Sequence, residues 1–124
     1  MKSFKEILII DDDYKNIFAL SAVLKSKKYH CVPAQSAQEG FEILSVNKNI
    51  AVVLMDMMMP EMDGYQAIKK IKADPGTKDL YVIAVTAQAM TGDREKCMEA
   101  GADGYISKPV NVDELIKELN KVIS

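Results

Sequence analysis

Residues 51–64 read Ala51-Val52-Val53-Leu54-Met55-Asp56-Met57-Met58-Met59-Pro60-Glu61-Met62-Asp63-Gly64. An apolar run rich in β-branched residues ends on one carboxylate, Asp56, and enters a loop punctuated by Pro60 and Gly64. Bounded in this way, the run fits a strand buried on both faces of a sheet. Its carboxyl end carries Asp56 to the rim, where open α/β sheets hold their ligands.

The rest of the chain alternates short strands with helices. Glu6-Ile7-Leu8-Ile9-Ile10 reads as a strand that stops at Asp11-Asp12-Asp13. Ile17, Leu20, Val23 and Leu24 then recur at helical spacing over about Tyr14 to Ser26. Cys31-Val32-Pro33-Ala34 is a short strand that Pro33, lacking an N–H, confines to a sheet edge. Ser36-Ala37-Gln38-Glu39 has the form of a capping box and opens a helix that turns Ala37, Phe41 and Leu44 inward. The central strand covers about Ile50 to Met55. A helix over Gly64 to Ala73 follows, with Ala67, Ile68 and Ile71 on one face, closed by Asp74-Pro75-Gly76.

Leu80 to Val85 is another apolar strand, ending at Thr86. A less hydrophobic helix from about Thr91 to Ala100 is stopped by Gly101. Tyr105-Ile106 form a last short strand before Ser107-Lys108-Pro109. Asn111-Val112-Asp113-Glu114 caps a final helix that buries Leu115, Ile116, Leu119, Val122 and Ile123. Five strands alternating with five helices predict an α/β fold of the flavodoxin-like, doubly wound (βα)5 kind. Its parallel sheet has order 2-1-3-4-5 with helices on both faces.

Bulk properties narrow the function. A chain of 124 residues reads as a single domain over 1–124, with no room after the last helix for an output domain. A net charge of −2, with no basic cluster on one face, argues against direct nucleic acid binding. Met1-Lys2-Ser3-Phe4 leads straight into a strand without a signal peptide, and no apolar run approaches the ~20 residues needed to span a bilayer. The expectation is a cytoplasmic protein without a membrane segment. Cys31 and Cys97 are too few and too far apart for a disulfide framework or zinc knuckle, and read as buried small apolar side chains.

The predicted topology gathers Asp11, Asp12, Asp56, Thr86 and Lys108 at the carboxyl ends of the strands. Each has a plain structural explanation alone: the acidic run favours a helix N-terminus, Thr86 ends a strand, and Lys108 is a solvated charge. Their convergence on one crevice is what such explanations do not supply. Two carboxylates ~4 Å apart repel by about 4 kcal/mol at an effective dielectric near 20, so three need a cation or a proton. Hard oxygen ligands without His or Cys point to Mg²⁺, which prefers carboxylates, water and a phosphoryl oxygen. Such a metal, with Lys108 opposite, traps a phosphoryl group for in-line attack by Asp56, giving an acyl phosphate.

Ile-Ile-Asp11-Asp12, Leu-Met-Asp56-Met-Met-Met59-Pro60-x-Met62-Asp63-Gly64, Val-Thr86-Ala87 and Gly-Tyr105-x-x-Lys108-Pro109 resemble the receiver domain of two-component response regulators, in order and at family spacing. The resemblance implies that Asp56 is the phosphoacceptor, supplied by a phosphohistidine on a histidine kinase or histidine phosphotransfer protein. It implies Asp12 as a direct Mg²⁺ ligand, Asp11 as a ligand through water, and the Met58 carbonyl as a further ligand. Lys108, Thr86 and the Ala87 N–H would contact the phosphoryl oxygens, and Lys108-Pro109 is a cis-peptide candidate. Thr86 and Tyr105 would form the switch, remodelling the surface of the fourth helix, last strand and last helix for an unknown downstream protein target.

The stretch Thr86 to Glu95 is similar to receivers of hybrid histidine kinases and of single-domain phosphorelay regulators. A stand-alone regulator, a phosphorelay intermediate and a piece of a longer chain therefore all stay open. Met58 and Gln88 fall at family positions that tune hydrolysis. Met57-Met58-Met59 reads mainly as core filling, and His30, at the start of the edge strand, is set aside as an internal phosphodonor. An aspartyl-nucleophile, metal-dependent phosphatase would need an acid two residues after the nucleophile, where Met58 stands and transfers no proton. The expectation is a phosphoacceptor that catalyses its own phosphorylation and slow dephosphorylation, without true turnover. A flavin module would want hydroxyls and glycines, not three aspartates, after the first strand.

Overall fold

The computed structural model describes residues 5–59, 64–87 and 92–123. Its elements run β1 (Glu6–Ile10), α1 (Tyr14–Ser26), β2 (His30–Ala34), α2 (Ala37–Val46), β3 (Ile50–Asp56), α3 (Gly64–Ala73), β4 (Tyr81–Thr86), α4 (Asp93–Ala100), β5 (Gly104–Ser107) and α5 (Val112–Asn120). All strand pairings are parallel and the order is β2-β1-β3-β4-β5, as the alternation predicts. Pro33 lies in edge strand β2, opposite Ile9.

Alternation along the strands sends side chains to two cores. Leu8, Ile10, Val53, Met55, Val82 and Ala84 pack with residues of α2, α3 and α4. Ile7, Ile9, Val52, Leu54, Ile83 and Val85 pack with residues of α1 and α5. The helices that follow β1 and β3 therefore lie on opposite faces, which parts the chain above those two strand ends. A bulge sets the phase. Glu6 pairs with Ile50 but Ile7 pairs with Val52, leaving Ala51 as the extra residue. Were Ala51 paired in regular register instead of bulging out, every later side chain of β3, Asp56 included, would turn to the other face.

The helix ends follow local chemistry. Asp13 caps α1 by accepting from the Lys15 N–H at 2.9 Å, and Asn111 caps α5 by accepting from the Glu114 N–H at 3.1 Å. Ser36 accepts from the Glu39 N–H at 3.0 Å, but Glu39 reaches back to the Gln35 N–H at 2.8 Å, one residue earlier than a capping box requires. Gly101 ends α4 in the left-handed region, φ 117°.

Several expectations need correction. The last helix stops at Asn120, so Val122 and Ile123 pack half-buried beyond it, and Ile116 is half-buried too. Phe41 is half-buried, with the Lys70 ammonium 4.5 Å from its ring centroid. Cys97 is buried, as expected, while Cys31 is only half-buried in the edge strand. β4 begins at Tyr81 rather than Leu80, β2 already at His30, and β5 extends over four residues. The helix start expected at Thr91 lies outside the described residues, within which α4 begins at Asp93. Among the described residues, no helix is long and apolar enough to cross a membrane.

Candidate functional site

Strand ends deliver the acidic groups. Asp11 follows β1 directly, and its N–H donates to the Ala34 carbonyl at 3.0 Å. Asp56 is the last residue of β3 and is 4% exposed. Carboxylate oxygens of Asp11, Asp12 and Asp56 all lie within 4.8 Å of one another, with Asp11 and Asp56 buried and Asp12 exposed. One exposed acid beside two buried ones gives a metal a protein-facing and a solvent-facing side. These hard oxygen donors fit Mg²⁺ by number and type.

Lys108 supplies the opposing charge. Its Nζ lies 3.5 Å from Asp56 Oδ1 and 3.6 Å from Asp11 Oδ2, bridging both carboxylates at ion-pair range rather than in a short hydrogen bond. Its backbone N–H donates to the Thr86 carbonyl at 2.8 Å, tying the end of β5 to that of β4. The Lys108-Pro109 peptide is cis, as the resemblance implied.

Loop backbone orients the carboxylates. The Met58 N–H donates to Asp56 Oδ1 at 3.0 Å, and the Asp13 N–H donates to Asp11 Oδ1 at 2.9 Å. Burial pushes the Asp11 carboxyl above its ordinary value. The Asp13 N–H opposes this, the charge of Asp56 adds to it, and Lys108 opposes it again. The site as built is therefore short of positive charge.

Thr86 ends β4 and is 1% exposed, next to exposed Ala87. Tyr105 is half-buried in β5, paired with Ala84, and its hydroxyl donates to Asp93 Oδ2 at 2.7 Å. The methionine run divides: Met59 is buried, Met57 half-buried, and Met58 is 41% exposed, so core filling describes only part of it. His30 begins β2 opposite Glu6, at the end of the sheet away from Asp56. Pro60, Met62, Asp63 and Gln88 lie outside the described residues.

Beside the acids, a hollow of about 300 Å³ opens between α1 and the β5–α5 connection. Asp56, Asp11 and Lys108 line it together with Leu20, Val23 and Val110. The helical spacing of Leu20 and Val23 gave no sign that they border open space. Neither partner of Asp93 was foreseen from the sequence: besides Tyr105, the Tyr65 hydroxyl donates to Asp93 Oδ1 at 2.7 Å. An acid in the first turn of a helix reads as a dipole partner, and no spacing signal links it to tyrosines of two other elements.

The family model for the response regulator receiver domain matches residues 7–120. The polar-differentiation response regulator DivK of Brucella ovis is 30% identical over 119 residues, covering 96% of each chain. The CheY-like response regulator receiver domain protein of Methanospirillum hungatei JF-1 superposes with a TM-score of 0.83 at 32% identity, over 96% of this chain and 93% of that one. The receiver domain of the sensor histidine kinase PA1611 of Pseudomonas aeruginosa PAO1 was solved with a magnesium ion in its active site cleft. It is 31% identical, with a TM-score of 0.84, over 95% of this chain and 96% of its own. A match that runs from the first strand to the last helix, on a sheet of this order with its acids at this rim, has one reading: the chain belongs to the response regulator receiver domain family, a class of signalling proteins.

Proposed function

We propose that this receiver accepts a phosphoryl group on Asp56 from a phosphohistidine of a histidine kinase or histidine phosphotransfer protein. The observation that carries the reading is the gathering of Asp11, Asp12 and Asp56 oxygens within 4.8 Å, faced by Lys108 at 3.5 Å. Asp11, Asp12 and Asp56, with the Met58 carbonyl, would hold Mg²⁺, whose charge neutralises the phosphoryl oxygens when it is bound. In the transfer, an Asp56 oxygen forms the bond to phosphorus as the phosphorus–nitrogen bond breaks, and the imidazole leaves with that electron pair. The Met58 N–H and Lys108 both address Asp56 Oδ1, which holds the carboxylate in a fixed orientation.

Lys108, the Thr86 hydroxyl and the Ala87 N–H then bind the phosphoryl oxygens. Thr86 moving toward them opens space for Tyr105, and the α4–β5–α5 surface shifts between two states that a downstream protein tells apart. Large exposed side chains on α1, Tyr14 and Phe18, one turn apart and next to Asp11–Asp13, support a protein donor docking over the mouth of the hollow. The reading sets the protein in the cytoplasm, as a stand-alone regulator or one step of a phosphorelay.

Intact-mass measurement after incubation with acetyl phosphate or phosphoramidate and Mg²⁺ tests the chemistry. The native protein should gain one phosphate, and both Asp56→Asn and a chelator should abolish the gain. Lys108→Ala should still be phosphorylated, about 10²-fold more slowly, but fail to signal, because it loses a charge aimed at the phosphoryl group. An unchanged native mass overturns the mechanism, and a fully active Lys108→Ala overturns the role of the lysine.

A further inference from the structure

α4 is weakly anchored by apolar packing. Of its eight residues, Asp93-Arg94-Glu95-Lys96-Cys97-Met98-Glu99-Ala100, only Cys97 and Ala100 are buried, and both are small. Helices of this kind lack the wide apolar stripe that fixes a surface helix to its sheet. Polar ties at its first turn therefore decide a large share of where it sits.

Those ties converge on one side chain. Asp93, the first residue of α4, receives the Tyr65 hydroxyl on Oδ1 and the Tyr105 hydroxyl on Oδ2, each at 2.7 Å. Tyr65 lies in the first turn of α3 and Tyr105 in β5, so three elements meet on one carboxylate. Asp93 does not cap its own helix: the N-cap is Gly92, with no side-chain cap bond. The Lys96 ammonium, 5.5 Å from the Tyr65 ring centroid, adds a second tie from α4 to α3. Short hydroxyl-to-carboxylate bonds are among the stronger neutral-to-ion hydrogen bonds, and half-burial strengthens them further. Burial, and after it the bond to Asp93, pushes the Tyr105 phenol well above its ordinary value, so it stays a donor throughout the physiological range.

We propose that Asp93 is the positioning residue of the switch: by clasping Tyr65 and Tyr105 together it holds α4 against α3 and β5 and sets how readily the switch surface moves. The proposal rests on the reading of Tyr105 as the switch aromatic. Movement of that ring toward Thr86 draws its hydroxyl off Asp93, so the clasp opposes the active surface. By linkage, whatever opposes the active surface weakens the binding of a phosphoryl mimic by the same factor. Loosening the clasp should therefore tighten that binding.

The test is titration with beryllofluoride and Mg²⁺ of the protein carrying ¹³C-labelled tyrosine rings, the five tyrosines being assigned by single Tyr→Phe changes. Tyr65→Phe and Asp93→Asn should raise the apparent affinity for the mimic roughly tenfold. In both, the Tyr105 resonance should move toward its mimic-bound position before any mimic is added. Tyr65→Phe alters neither Asp93 nor Tyr105 and deletes a single hydroxyl, so it stays informative if Asp93→Asn folds poorly. A tighter site is not what a merely damaged fold produces. If both folded variants bind the mimic as the native protein does, or more weakly, with Tyr105 unmoved, the clasp is only a packing fixture and the proposal falls. If the native protein binds no beryllofluoride, the phosphoacceptor reading itself fails, a result distinct from equal binding by all three.

Discussion

On the α2–α3–α4 face the helices press against the sheet, whereas on the α1–α5 face they stand off at one end. A Cβ added to Gly40 of α2 would meet Ile10 Cδ1 at 2.5 Å, and one added to Gly64 of α3 would meet Met57 Sδ at 2.8 Å. Across the sheet, Leu20 and Val23 of α1 stay half-buried beside a hollow of about 300 Å³ that reaches Asp56. The hollow lies at the carboxyl end, beside the acids. At the other end, the Tyr81 hydroxyl donates to Glu118 Oε1 and the Tyr29 hydroxyl to Asn120 Oδ1, each at 2.8 Å, fastening α5 down. Both faces bury a packed core, and the α1–α5 face also leaves an approach to the acids. On the proposed function, a donor's side chain would reach Asp56 from the α1–α5 side, while the proposed switch surface, α4 and β5, belongs to the opposite side or its edge.

The sharpest way to break this contrast is to add volume to each face. Gly40→Val should destabilise the protein by about 2–3 kcal/mol, because the new methyls compete with Ile10 in a filled core. Val23→Ile adds one methylene to the hollow and should be neutral, or stabilising by about 0.5 kcal/mol. Urea unfolding midpoints at unchanged slope read both. Similar losses in the two variants would mean that the faces are packed alike and that the hollow closes in solution.

The contrast also marks what the sequence made legible. Hydrophobic period and turn residues located all ten elements and their order, because Ile7–Ile10, Ile50–Met55 and Val82–Val85 are continuous apolar runs that only a doubly covered sheet accommodates. The strand-end residues Asp11, Asp12, Asp56 and Lys108 come together because parallel topology leaves their carboxyl ends no other place to go. Three things were not legible. The Ala51 bulge depends on pairing between strands distant in sequence. The hollow depends on how far α1 stands from the sheet, which periodicity does not encode. Tyr65–Asp93–Tyr105 joins residues that no local pattern relates. The over-long last helix is a different error, since Val122 and Ile123 keep the apolar period but pack half-buried against the core from turns beyond Asn120.

A smaller effect sharpens the closed end of the α1–α5 face. The Tyr81 phenol is pushed up from 10.0 to about 12, chiefly by burial and then by its bond to Glu118 and the charge there. A folded value above the free one means that the fold favours the neutral phenol. The stabilisation is then complete below pH 10.0 and fades as pH climbs toward about 12. Tyr81→Phe should cost about 1 kcal/mol near neutrality, the net worth of one hydrogen bond. Its difference from the native protein should shrink across that alkaline window. A difference constant in pH would show that Tyr81 contributes through ring packing and not through Glu118.

The smallest change concerns the turn that delivers Tyr29 to Asn120. Lys28 sits in the left-handed region at φ 72° between the end of α1 and β2, among bonds from the Lys27, Lys28 and Tyr29 N–H groups to the Leu24 and Lys25 carbonyls. Those bonds require the conformation there, and a lysine Cβ makes it cost about 1 kcal/mol. Asparagine tolerates this region better than lysine, and without the extra unfolded-state freedom that glycine brings. Lys28→Asn should therefore stabilise the protein by about 0.5 kcal/mol, read as a higher urea midpoint, and leave phosphorylation of Asp56 unchanged. Loss of stability would mean that the lysine side chain holds the closed end through contacts of its own. A changed phosphorylation rate would mean that the two ends of the α1–α5 face are mechanically linked, and the contrast between a fastened end and an open one would have to be given up.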